Sequence, residues 1–439
     1  MTLWLKNNAL ILFLIFLGII LRLFVGVKTG ISFDYDQERD ASSVMQMVWE
    51  LKPAIVGPRV ANDSGFFLGP YHYYFLLPFF LITGGHPIAG PMASIFVSSL
   101  TTYFYYFVGK KISGAKTGLL AALVSIFLID LNSWNPMYFS IVTLIYLSLL
   151  FDVVKFSKNH IWLVALCGLA VNLHLAMGLF SVITLLVIML KKNLSLRMYL
   201  SLLAAYAIWF IPLLAFNLRH EGIIVQSIGR FLNDSAGGVG SNVWEKLGRS
   251  LEIAPMWNTI YRSIIKLIFG IGFLLLLKQT WMKFGKLMFL CIFLIVSLPV
   301  VTLSFYRGNL PEYYFGMVIA FIPLALGKIF ESKFYVGLVA ITLWGFVLVN
   351  YKSEQKVTIP LASKIDLINY LVNQTEDEYV NFSYDVPLGY NYGYEYLLKY
   401  LKVPLDRGNR GHLYTLIHEK MYKDGEVVKT VGELKLVRR

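Results

Sequence analysis

The chain has 439 residues and a formal net charge of +13; it is 57% hydrophobic, only 15% charged, and has a mean hydropathy of +0.63. Most windows of about 20 residues are apolar enough to cross hydrocarbon, which excludes a soluble enzyme and predicts a polytopic membrane protein. The basic excess does not point to nucleic acid, because Lys and Arg sit in short clusters between apolar runs, as the positive-inside rule requires. Cys167 and Cys291 both lie within apolar runs, so neither a disulfide framework nor a paired-cysteine metal site is available.

The N-terminus carries Lys6 and an apolar run over Asn8–Val27, too long for a signal-peptide core and lacking a small-x-small cleavage site, so it reads as a retained helix. Spans are expected near 8–27, 88–108, 117–131, 137–154, 161–173, 174–190, 197–216, 260–277, 287–305, 313–329 and 334–350. Lys110, Lys111, Lys155, Lys191, Lys192, Lys278, Lys283, Lys286 and Lys328 alternate to one side, and the opposing short connections hold essentially Arg307 alone. That asymmetry puts the N-terminus in the cytoplasm and, with about 11 crossings, the C-terminal segment outside a bacterial-type plasma membrane. Residues 161–190 form one apolar run with basic residues at both ends, so parity demands two short helices broken at Val171-Asn172-Leu173-His174. Pro70–Gly84 is aromatic but short, and reads as an interfacial or half-inserted helix.

The domain reading is a transmembrane core over 1–350, with a structured first outer loop at 28–70, and an extracytoplasmic α/β domain over 351–439. In the loop, four carboxylates (Asp34, Asp36, Glu38 and Asp40) fall within seven residues. Asp36, Asp40, Val44, Met47, Val48 and Leu51 share one helical face, and Asp34 with Gln37 makes a capping box. Asp34 is therefore the expected cap, while Glu38 and Asp40 are read as solvated or ion-paired. A second outer loop near 217–258 contains Gly237-Gly238-Val239-Gly240 and is expected to be mobile. The tail predicts helices near 362–373 and 392–401 and strands near 378–384, 412–418 and 431–437.

Polar groups collect on the outer side. Asp36, Arg59, His72, Asn135, His174, Arg219, His220, Tyr306 and Arg307 all fall at outer span ends or in outer connections, whereas the cytoplasmic side carries almost only Lys. Polar groups at membrane depth are costly and usually line a cavity. A carboxylate with histidines and arginines suits a base, orienting groups and anion binders.

The run Asp36-Gln37-Glu38-Arg39-Asp40-Ala41, followed by Gly69-Pro70-Tyr71-His72-Tyr73-Tyr74, resembles the first outer loop of GT-C membrane glycosyltransferases. The nearest branch in appearance is the bacterial relatives of protein O-mannosyltransferases and of lipid A aminoarabinose transferases. Asn135-Pro136, Leu173-His174, Phe216–His220 and Pro311–Tyr314 are similar in supporting ways. The resemblance implies a mainly α, GT-C-type core, a polyprenyl-phosphate sugar donor, extracytoplasmic catalysis and inversion at the anomeric carbon. It places Asp36 on the catalytic aspartate and Arg39 on an arginine of the same helix. Gln37 stands where the family has an acidic residue, which weakens a metal-binding reading. Gly69-Pro70 lacks the lysine that lipid A-modifying relatives carry there, so His72, Arg59, Arg219 or Arg307 would have to hold the phosphate.

The expected activity is inverting hexosyl or pentosyl transfer from a polyprenyl-phosphate donor to an outer-face protein, lipid or envelope glycan, without a cofactor. Asp36 would act as base or orienter. Arg39, Arg59, His72, Tyr74, Asn135, His174, Arg219, His220, Tyr306 and Arg307 would contact substrate. The alternatives are a flippase or exporter of a lipid-linked saccharide, for which no internal duplication is seen, and an O-antigen-type polymerase or ligase using arginines of the 217–258 loop.

Overall fold

The computed structural model describes residues 2–60, 65–190, 194–236, 262–305, 312–374, 379–406 and 412–439. The glycine-rich stretch at 237–240, Tyr306 and Arg307 lie outside the described residues. The chain begins with the long helix α1 (Thr2–Thr29), then the short α2 (Tyr35–Trp49) and α3 (Tyr71–Ile82). Next come α4 (Ala89–Ile112), α5 (Ala115–Ile126), α6 (Phe139–Phe156), α7 (His160–Leu173) and α8 (Leu179–Leu190). They are followed by α9 (Leu196–Ala207), α10 (Ile211–Arg219), α11 (Ile223–Ala236), α12 (Arg262–Phe284) and α13 (Lys286–Ser304). The helical part closes with α14 (Gly316–Ile319), α15 (Ile322–Ile329) and α16 (Phe334–Glu354).

Among the described residues, six helical stretches are long and apolar enough to cross a membrane, and five shorter apolar helices accompany them. The count of about 11 crossings is therefore not reached on length and composition among the described residues. At 12 residues, α3 is too short to span hydrocarbon, in line with its expected interfacial placement. The break at His174 is where parity puts it: α7 ends at Leu173 and a 3-10 turn over Leu175–Gly178 leads into α8. α4 and α5 pack backbone to backbone, because a Cβ on Gly109 would lie 2.7 Å from the Gly118 Cα, the close approach that small residues permit. The basic clusters meet at one end of the bundle. Lys111 pairs with Asp152 at 2.6 Å, Lys283 donates to the Lys111 carbonyl, and Lys328 binds Ser113 and Glu331.

The tail supplies α17 (Leu361–Gln374), β1 (Val380–Asp385), α18 (Tyr394–Tyr400), β2 (His412–His418), β3 (Glu426–Val431) and β4 (Leu434–Arg438). The strands form a sheet of order β1-β2-β4-β3, with β1 and β2 parallel and the other pairs antiparallel. β3 was not expected. It is a largely exposed edge strand whose pairing is broken between Val427 and Lys429, so it lacks a clean apolar alternation. The strand expected at 431–437 begins at Leu434 because Gly432, at φ +58°, turns the hairpin.

The tail does not pack on itself alone. Ile368, Leu397 and Leu416 share one buried cluster with Val44 and Met45 of α2 and with Leu76 of α3. Polar bonds reinforce that contact. Glu38 accepts the backbone N–H of Gly393 at 2.7 Å and of Tyr396 at 2.9 Å, so it is neither solvated nor ion-paired as expected. Lys364, almost fully buried, donates to the Phe33 carbonyl at 2.8 Å and the Tyr392 carbonyl at 2.9 Å, and pairs with Asp34 at 3.2 Å. Gly393 sits at φ +92°, and a Cβ there would come within 2.3 Å of the Phe33 carbonyl oxygen. Two outcomes follow for detergent-purified protein. Gly393→Ala should lower the thermal unfolding midpoint and expose the tail to protease. Glu38→Ala should do the same, because two buried N–H groups lose their acceptor at a cost of about 1–3 kcal/mol each. Neither change should affect membrane insertion.

Candidate active site

A cavity of about 400 Å³ opens where α2, Pro58-Arg59-Val60, Leu68, Trp134-Asn135-Pro136, the His174–Leu179 turn, the end of α13 and Tyr313-Tyr314 converge. Asp36, Arg39, Arg59, Asn135 and His174 line it, all from segments that the sequence assigns to the outer side. The size is that of a small-molecule site.

α2 delivers the charged groups. Asp34 is its N-cap residue, and the Gln37 side chain accepts the Asp34 N–H at 3.1 Å, closing the expected capping box. This fixes the first turn, and i,i+3 spacing then brings Asp36 to Arg39 at 2.7 Å. Arg39 uses Nε and Nη2 to grip one oxygen of Asp40, at 2.8 and 2.7 Å. The other Asp40 oxygen lies 2.9 Å from His72 Nε2, and His72 Nδ1 lies 2.9 Å from the Tyr138 hydroxyl. With Asp40 as acceptor, Nε2 carries the proton and Nδ1 accepts from Tyr138, a tautomer assigned from the bonding pattern. The row runs inward from Asp36, which is about a third exposed, to Asp40 and His72, which are 1% and 0% exposed. Burial pushes the Asp36 carboxyl above the ordinary aspartate value, and the Arg39 guanidinium opposes that rise.

His174 accepts the Ala176 N–H through Nδ1 at 3.2 Å and packs against Phe139, Tyr313 and Tyr314. Burial holds its pKa down at about 4, so the imidazole is neutral with Nε2–H as its donor. Asn135 donates to the Leu173 carbonyl at 3.1 Å, tying the start of α6 to the α7–α8 break. Arg59 donates to the Gly65 carbonyl at 3.0 Å, which braces the loop that forms one wall.

Four expected substrate contacts are placed elsewhere. His72 is fully enclosed behind Asp40 and does not line the cavity. The Tyr74 hydroxyl donates to the Ala54 carbonyl, and its ring is partly exposed on the outside of the first loop. Arg219 is exposed at the C-terminus of α10, where a cation complements the helix carbonyls. His220 stacks on Phe216 at 4.0 Å and bonds its carbonyl. Sequence periodicity cannot separate these positions from lining ones, since the sequence assigns both groups to the same side. Trp134 and Thr302 line the cavity without any sequence signal beyond their place near span ends, and Phe231 without any beyond its place in the second outer loop. Among the described residues, no three His, Cys, Asp or Glu side chains come together as a metal site.

The inner row sets a ranking of costs. Asp40→Asn removes the charge that Arg39 and His72 share and should cost on the order of 3–5 kcal/mol. Tyr138→Phe removes one hydrogen bond and should cost about 1 kcal/mol. Thermal unfolding of the purified variants should show Asp40→Asn far the more damaging.

No family model and no curated protein matches the chain. Solved structures do. ArnT from Cupriavidus metallidurans bound to undecaprenyl phosphate superposes with a TM-score of 0.63 at 12% identity, over 98% of both chains. The apo state of the same ArnT gives 0.63 at 13% identity. The archaeal oligosaccharyltransferase AglB from Archaeoglobus fulgidus, in complex with an inhibitory peptide and a dolichol-phosphate, gives 0.53 at 11% identity, over 85% of this chain and 59% of AglB. The structural likeness extends along nearly the whole chain, and the protein has the GT-C fold of ArnT and AglB.

Proposed function

We propose that the protein transfers one sugar from a polyprenyl-phosphate donor to a hydroxyl-bearing acceptor at the outer face of the membrane, with inversion at the anomeric carbon. The carrying observation is the Asp36–Arg39 pair on the wall of a cavity that Arg59 also lines. The undecaprenyl phosphate and dolichol-phosphate held by the two structural neighbours support a lipid-phosphate donor for the same fold.

A sugar leaving from phosphate needs no general acid, because the phosphate departs as a stable anion. One base therefore suffices, and Asp36 is the only carboxylate among the described residues that line this cavity. Asp36 takes the acceptor proton as the hydroxyl oxygen bonds to the anomeric carbon. The carbon–oxygen bond to phosphate breaks on the opposite face, and its electron pair leaves with the polyprenyl phosphate. Arg39 and Arg59 meet the charge that develops there. Neutral His174 orients a sugar oxygen through Nε2–H, and the aromatic walls offer faces for the ring. In this reading the N-terminus is cytoplasmic and residues 351–439 form a domain outside the membrane, braced against the helix that carries the base.

In proteoliposomes given labelled polyprenyl-phosphate sugar and an acceptor extract, wild-type protein should yield a glycosylated product. Asp36→Asn should lower that yield by about 10²–10⁴-fold while folding normally. Undiminished transfer by Asp36→Asn would remove Asp36 from the reaction.

The pH profile gives an independent check. Burial and Asp40 raise the Asp36 carboxyl while Arg39 lowers it, so its net position is above the ordinary 3.8. A base with a raised pKa is lost earlier as pH falls, so the acid limb of kcat/KM should lie above that value. Arg39→Gln removes a lowering influence and should move the limb to still higher pH. A limb at or below 3.8, or a downward move in Arg39→Gln, would contradict the assignment.

A further inference from the structure

Back to back with the site lies a second cavity of about 440 Å³, and Trp134, Pro136 and Tyr313 belong to the walls of both. The Trp134 and Tyr313 rings meet edge to face at 4.7 Å and form the partition. None of Asp36, Arg39 or Arg59 reaches the second cavity. Its polar equipment is different. Arg22, 2% exposed on α1, uses Nη1 and Nη2 on the carbonyls of Gly18, Ser125 and Leu128, while its Nε–H has no partner. That guanidinium is spent on backbone carbonyls and contributes positive potential to the cavity rather than a free donor. Asp130 lines the same space with an exposed side chain, and the Lys352 ammonium lies at the end of α16. Ser98 and Ser140 add hydroxyls.

We infer that this second cavity binds an uncharged, hydroxyl-rich ring: a sugar unit of the acceptor. Donors and acceptors of both signs face one space with aromatic walls. This suits hydroxyls, which donate to Asp130 and accept from the Lys352 ammonium while a ring face lies on an aromatic side chain. A phosphate would have to compete with the Asp130 carboxylate, which already interacts electrostatically with both cations of this cavity, Arg22 and Lys352. An apolar lipid chain would leave the charged groups unpaired. As an acceptor site the assignment rests on the transferase reading, and it narrows the acceptor from protein, lipid or glycan to a glycan-bearing molecule. As a sugar site it stands on the cavity alone.

The experiment is a binding titration on the full-length protein in detergent, followed by tryptophan fluorescence. The probes are free glucose, galactose, mannose, N-acetylglucosamine, arabinose and ribose. At least one should give a saturable change. Asp130→Asn and the cavity-filling Ser98→Phe should each weaken it by about tenfold or more, the loss of a charge-assisted hydrogen bond in the first case. Asp36→Asn should bind it unchanged. A thermal unfolding midpoint close to wild type shows that each variant is folded, and if one of the two cavity variants fails that check the other carries the result. Saturation by none of the six sugars, saturation indifferent to both cavity changes, or loss in Asp36→Asn equal to that in Asp130→Asn would overturn the assignment. Failure of transfer chemistry would appear instead in the Asp36→Asn product assay, so the two readings fail separately.

Discussion

A carboxylate buried as deeply as Asp40 has to be neutralised where it sits, and that requirement organises the site. Charge transferred from water to a protein interior is tolerated only with close, well-aligned partners. Asp40 finds two, Arg39 on its own helix and His72 on α3, and His72 is braced in turn by Tyr138. Because Arg39 is held from behind by Asp40, its remaining terminal nitrogen is fixed beside Asp36 at the cavity wall. The exposed pair thus inherits its geometry from the buried one. In the proposed reaction, a base held this way would need little reorganisation when an acceptor arrives, the condition under which electrostatic catalysis is strongest.

The same helix is held at its far side by the tail. Glu38 caps the Gly393–Tyr396 backbone, and Lys364 reaches back to the Phe33 carbonyl and to Asp34. These contacts join residues more than 300 positions apart in sequence. They give the C-terminal segment a physical purpose, since α2 is otherwise a short helix on an interfacial loop. The four carboxylates of the first loop have therefore separated into four jobs. Asp34 caps, Asp36 faces the cavity, Glu38 docks the tail, and Asp40 anchors the arginine.

Much of this was legible in the sequence, and the limits have physical causes. Apolar period and length gave the helical class and the break at His174, because a run flanked by basic residues must return to the same side. The capping box at Asp34 and Gln37 is a local pattern and was readable as such. The partners of Glu38, Lys364 and His72 were not, because they are set by contacts across the chain. The side assigned from sequence grouped Asp36, Arg59, Asn135 and His174, which meet in one cavity, yet was too coarse to tell Arg59, which lines it, from Arg219, which is exposed at a helix end. Asp130 carried no signal at all. Only the packing of α1, α4, α5 and α16 around it reveals that it faces a cavity.

The central claim is that the Asp36 cavity receives the phosphate of a lipid carrier. A structure of the protein determined with polyprenyl phosphate bound tests it most directly. The expected result is phosphate density in that cavity, within hydrogen-bond distance of Arg39 or Arg59 and with Asp36 on the side away from the lipid chain. Phosphate seated instead beside Arg22 and Lys352 in the adjoining cavity, or bound outside both, would contradict it.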